Sequence, residues 1–124
     1  MIKNIVLSAV IMLVLDAIYL TSFSKYFNKQ VNEVQGSDIS FRWIPTILCY
    51  ILLIFGLNYF ILSTDMSKNQ KIINAILLGL VIYGVYETTT YAILKNWKLS
   101  SVILDTLWGG ILFGLTTFII NILV

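Results

Sequence analysis

Long apolar runs alternate with short polar stretches along this chain, and the positions of the breaks predict its architecture. A helix needs about 20 predominantly apolar residues to cross a bilayer. Four segments meet that requirement, roughly 2–23, 41–62, 71–94 and 99–123. Irregular backbone cannot face lipid, so each predicts a helix, and short connections make neighbours antiparallel. The expected fold class is all-α: a polytopic membrane protein, an antiparallel bundle of four transmembrane helices, with residues 1–124 forming a single membrane domain.

The polar stretches refine this outline. In the first and longest connection, SKYFNKQVNEVQGSDIS, the residues Phe27, Val31 and Val34 recur at i, i+4 and i+7, with Lys29 and Glu33 paired at i, i+4 on the other side. That spacing predicts a short amphipathic helix, lying on the membrane or continuing the first span, and ended at Gly36. Asp38 or Ser40 is a candidate cap for the next helix, Arg42 and Trp43 mark a membrane interface, and Pro45 sits in a first turn or bends the helix. The second connection, STDMSKNQ, reads as a polar loop; the third, KNWKLSS, is tight and carries Trp97 as an interface anchor. The first run resembles a signal peptide in having one Lys before an apolar stretch, but Asp16 interrupts it and no A-x-A site follows, so a retained span is expected.

Composition agrees with lipid as the solvent. Apolar residues make up 59% and charged residues 11% of the chain, against roughly 45–50% and 25% in soluble domains. A net charge of +2, with basic residues placed singly at segment ends, excludes a nucleic-acid surface. The expected partners are the lipid bilayer and, in addition, a second copy or another protein. With no histidine and a lone Cys49, His-based triads, soft-metal sites and an internal disulfide are absent from the inventory, and no cofactor is expected. Both termini are expected on one side. Lys25, Lys29, Arg42, Lys95 and Lys98 flank the other side against Lys3, Lys68 and Lys71, which favours a cytoplasmic location for the first and third loops.

Within the spans, three acids are conspicuous: Asp16, Glu87 and Asp105. Each lies six or seven residues from a segment end on the side of the first and third loops, or about 10 Å below that face at 1.5 Å per residue. Three acids on three helices at one depth form a layer. A carboxylate in a span costs a few kcal/mol and faces the bundle interior or water. Residues at helical spacing extend the layer: Met12, Asp16, Tyr19 and Phe23 on the first helix; Tyr83, Gly84, Glu87, Thr90 and Tyr91 on the third; Ser101, Asp105, Trp108, Gly109 and Leu112 on the fourth. The expected site is an acidic pocket for an ion or solute, formed by Asp16, Glu87, Asp105, Tyr19, Tyr83, Tyr91, Thr90 and Trp108, with Arg42 and Lys95 at its mouth. Plainer readings stand beside it. Asp105 fits a first-turn acid behind a Ser100 or Ser101 cap, Glu87 a structural bond to Tyr or Thr, and Asp16 an ion pair with Arg42 or Lys95.

Small residues predict where helices approach closely. Gly110 and Gly114 form a GxxxG, Ala75 and Gly79 a second small-xxx-small pair, and Gly84 and Gly109 lie on the polar faces already described. Both intramolecular packing and a subunit interface fit such a motif. Asn58, Asn74 and Asn121 lie toward segment ends, and Tyr59 and Phe60 read as belt aromatics.

The motifs LDAIYL around Asp16, YETTTYAILKNW around Glu87 and LDTLWGG around Asp105, in that order, resemble a family of small predicted membrane proteins with a domain-of-unknown-function label, found in bacteria and in some eukaryotes and their viruses. The resemblance covers nearly the whole chain and implies a four-helix membrane fold. It also implies acids at the positions of Asp16, Glu87 and Asp105, with Asp usual where this chain has Glu87.

Three classes of function follow. The acid layer binds or conducts protons, cations or a small cationic solute; or the polar residues only fasten helices in a structural or accessory scaffold; or paired acids serve a membrane enzyme, a reading weakened by the absence of His, a reactive Cys and a phosphate loop. No catalytic residue is assigned.

Overall fold

The computed structural model describes residues 2–124, which form five helices and no strand. They are α1 (Ile2–Ser22), α2 (Ser24–Gln35), α3 (Trp43–Leu57), which runs on into a π-helical turn (Asn58–Leu62), α4 (Lys68–Ile93) and α5 (Leu99–Leu123). The helices α1, α3 with its π turn, α4 and α5 are long and apolar enough to cross a membrane. Side-chain pairing fixes their mutual direction. Asp16 of α1 meets Trp108 of α5 while Tyr19 meets Asp105, and Asp16 meets Tyr50 of α3 while Ser8 meets Asn58. In each pair of helices the register runs in opposite senses, so the bundle is antiparallel.

The apolar core lies below the acid layer, where Met12, Leu57, Ala75, Leu112 and Phe113 are fully buried. The tightest contact joins α4 to α5, and glycine makes it so. A Cβ on Gly79 would overlap the Gly109 carbonyl oxygen, one on Gly110 would sit 2.8 Å from Leu80 Cδ2, and one on Gly114 would sit 2.5 Å from Ile76 Cγ1. The GxxxG of α5 is thus filled by side chains of α4 within the same chain. Gly84 is looser, with a Thr106 methyl 3.5 Å from where its Cβ would be.

Helix ends depart from expectation where local hydrogen bonds decide. Ser67 accepts from the Gln70 N–H at 3.2 Å, so α4 begins at Lys68, inside the stretch expected to be loop. Asp38 does not cap α3; its carboxylate accepts from the Asn28 and Asn32 amides at 3.3 and 3.1 Å and folds residues 37–39 back along α2. The N-cap of α3 is Arg42, which places Pro45 in the first turn, where its missing N–H is no loss. Through Phe23 the helical hydrogen bonding continues, Phe23 to Tyr19 and Phe27 to Phe23 at 3.0 Å each, so α2 extends the first span. It ends at Gly36, whose φ of 77° lets its N–H close on the Asn32 carbonyl at 2.8 Å. Glu33 reaches Lys98 at 3.7 Å instead of Lys29.

Candidate functional site

On α1, Asp16 and Tyr19 are three residues apart and share a face; on α5, Asp105 and Trp108 do the same. Laid antiparallel, the two pairs interlock. The Tyr19 hydroxyl donates to Asp105 Oδ1 at 3.1 Å, and the Trp108 indole N–H donates to Asp16 Oδ1 at 2.9 Å. Between these bonds the two rings stack with centroids 4.5 Å apart and planes 1° from parallel. Tyr50, from α3, donates its hydroxyl to the other oxygen of Asp16. Asp16 therefore ties three helices while remaining only 6% exposed.

Glu87 comes from the C-terminal part of α4 and is 1% exposed. Its Oε1 accepts from the Trp97 indole N–H at 2.9 Å, and Glu87 lies close enough to Asp105 for the two acids to act on each other. Asp16 is close enough for its charge to act on Asp105, and Tyr19 lies within electrostatic reach of all three acids. Tyr83 completes the floor, its ring packed against Gly109 and within reach of Asp16 and Asp105.

The structure thus brings together Asp16, Glu87, Asp105, Tyr19, Tyr83 and Trp108. It does not bring in Thr90, whose hydroxyl donates to the Tyr86 carbonyl of its own helix at 2.8 Å, nor Tyr91, which is exposed. Arg42 and Lys95 are exposed, and the one ion pair among the described residues joins Lys98 to Glu33. Each plainer expectation for an acid also changes partner. Asp105 lies six residues beyond the start of α5 and bonds Tyr19; Glu87 bonds Trp97; Asp16 bonds Tyr50 and Trp108. The sequence reading missed Tyr50 as a member of the layer and Trp97 as a ligand of Glu87. Tyr50 had one signal, the only hydroxyl in the otherwise apolar run ILCYILLIFG.

Two clefts in the structure lie elsewhere. One, of about 610 Å³, opens between α1 and α3 and is lined by Ile5, Ala9, Ile54, Phe55 and Asn58; the other, of about 550 Å³, runs between α4 and α5 past Gly84, Thr88 and Thr106. No acid lines either cleft. Among the described residues, no group of three or more His, Cys, Asp or Glu side chains is placed to hold a metal ion.

Fold and site together define a small integral membrane protein whose intramembrane acids are bound by indoles and phenols. Residues 1–121 match the family model described as predicted membrane protein (DUF2177), and the chain belongs to that family. No curated protein and no solved structure matches it.

Proposed function

We propose that the acid layer is a proton-binding site, loaded through the Glu87–Asp105 pair and serving proton transfer or proton-coupled movement across the membrane. The observation that carries this reading is that two acids from different helices, Glu87 at 1% exposure and Asp105, lie close enough to act on each other and are held by Trp97 and Tyr19, with no Lys or Arg bonded to either among the described residues. A proton is the one cation that such an arrangement accommodates without displacing a side chain. Metal cations and cationic solutes need oxygen ligands arranged around an open volume, whereas here the acid oxygens already accept from Tyr19, Tyr50, Trp97 and Trp108. The Tyr19 and Tyr50 hydroxyls, bonded to Asp105 and Asp16, can both donate and accept, so each of these acids has beside it a group able to pass a proton. The tally of basic side chains favours loading from a cytoplasmic face made by the first and third loops.

The test is proton flux in proteoliposomes across a range of pH, comparing wild type with Glu87→Gln and with Glu33→Gln. Flux in wild type that is lost in Glu87→Gln and retained in Glu33→Gln is expected. Folded protein with no flux above empty liposomes sinks the proposal and favours a second reading, in which the layer is a structural tie in an accessory subunit. A specific observation supports that alternative: both oxygens of Asp16 are used to join α1 to α3 and α5.

A further inference from the structure

Among the twelve residues of α2, Gln30 alone is buried, at 2% exposure. An amide shut away from water without partners is strongly destabilising, so its bonds identify what holds it there. All three lead to the turn between α4 and α5 and to the start of α5. The side-chain N–H donates to the Asn96 carbonyl at 2.9 Å, and the side-chain oxygen accepts from the Lys98 N–H at 3.0 Å and from the Ser101 hydroxyl at 2.9 Å. Trp97 stands between the two turn residues so clamped, and it is the residue whose indole holds Glu87 at 2.9 Å. Within the turn itself, the Trp97 N–H bond to the Leu94 carbonyl is long, at 3.2 Å. The other links from α2 to the turn are the exposed Lys98–Glu33 pair at 3.7 Å and an Asn96 bond to the Glu33 carbonyl at 3.4 Å, both weak; beyond the turn, the Tyr26 hydroxyl bonds Ser100 and Ser101 of α5 at 2.6 and 3.0 Å, on the far side of Lys98 from Trp97.

We propose that Gln30 is a positioning residue for the acid layer: by clamping the backbone on either side of Trp97, it holds the indole on Glu87 and so couples α2 to the buried carboxyls. The inference extends the proton-binding reading of the same layer, but the clamp itself is measurable without it. The titratable and charged groups facing this assembly are Asp105 from α5, Tyr19 from α1, Tyr26 from α2, whose hydroxyl shares Ser101 with Gln30, Tyr86 beside Glu87 on α4, and the Lys98–Glu33 pair above the turn.

Amide hydrogen exchange by NMR tests the clamp, starting with the wild type. Lys98 is the N-cap of α5, and its N–H has no partner in the helix, yet it should exchange at least roughly tenfold more slowly than that of neighbouring Lys95 because Gln30 holds it. In Gln30→Met, which keeps the length of the side chain and loses all three bonds, that protection should vanish and the Trp97 indole N–H resonance should move. The pH midpoint of thermal stability should shift in the same direction as in Trp97→Phe. A Lys98 amide unprotected in wild type overturns the proposal even if the variant fails to fold, and so does an unmoved Trp97 resonance in folded Gln30→Met. Were the resonance to move while stability stayed independent of pH in every protein, the clamp would stand and the proton-binding reading would fall.

Discussion

Replacing Gly79 by alanine should destabilise the bundle, although alanine is the better helix former. The new Cβ would overlap the Gly109 carbonyl oxygen and lie 2.7 Å from its carbon and 3.0 Å from Phe113 Cβ. A carbon and a carbonyl oxygen rest at about 3.3–3.6 Å, so α4 and α5 must part by about 1 Å. A gap of that size forfeits a quarter to a half of each contact worth about 0.1–0.2 kcal/mol. Over some 40 atom pairs, on the order of one well-packed side chain, the loss is about 1–4 kcal/mol, in line with the 1–3 kcal/mol typical of overpacked cores. Helix propensity returns about 0.8–1 kcal/mol, which leaves roughly 0–3 kcal/mol of net destabilisation, centred near 1.5. Gly56→Ala is the matched control: nothing lies within 4 Å of its would-be Cβ, so only the propensity gain should appear. Unfolding of both variants in mixed micelles, followed by circular dichroism, measures the difference, expected to be about 2 kcal/mol. If Gly79→Ala proved as stable as Gly56→Ala, the close approach of α4 and α5 would be refuted.

Two further substitutions separate the polar ties. Trp108→Phe keeps a ring to stack on Tyr19 but leaves Asp16 with Tyr50 alone; a loss of roughly 1–3 kcal/mol in the same unfolding assay is expected, and no change would mean that the indole bond is idle. Ser67→Ala should cost about 1 kcal/mol by removing the cap on α4, seen as faster exchange of the Gln70 amide; unaltered exchange there would show that the cap is not what starts the helix.

Depth was legible in the sequence because it needs only one ruler, the rise per residue from the end of an apolar run. Asp16, Glu87 and Asp105 were expected at one level in this way; the Tyr19–Asp105 and Trp108–Asp16 bonds bring Asp16 and Asp105 near one another but offset by three residues, about 4.5 Å along the helices. Partners were not legible, since the rotation of one helix about another leaves no mark at fixed spacing. Thr90 and Tyr91 share a helical face with Glu87 by periodicity, yet Glu87 reaches back to Trp97 in the turn, while Tyr91 faces outward. Gln30 was hidden for a related reason: a polar residue in a polar helix looks solvated until the turn it binds is in view. The π turn at Asn58 carries no periodic signature of its own. Its purpose appears only when the Asn58 amide is seen donating to Ser8 of α1 at 2.9 Å and to the Ile54 carbonyl at 2.8 Å.

The bonding pattern also distributes rigidity unevenly. Glycine contacts lock α4 to α5 over most of their length, and the stacked Tyr19 and Trp108 rings join α1 to that pair at the acid layer. Helix α3 differs between its halves. Leu53, Leu57, Ile61 and Leu62 are buried against the core, but Trp43, Ile44, Ile47, Leu48 and Leu52 face outward, and Tyr50 alone of that first half is bonded to the layer. A helix anchored at one end and held at the other by a single hydroxyl is easier to displace than one keyed along its length. The first half of α3 and α2 with the turn it clamps both border the acid layer from the side of the first and third loops, so the two least keyed elements lie on that one side. Displacing them releases different acids: the first removes a donor from Asp16, the second a donor from Glu87.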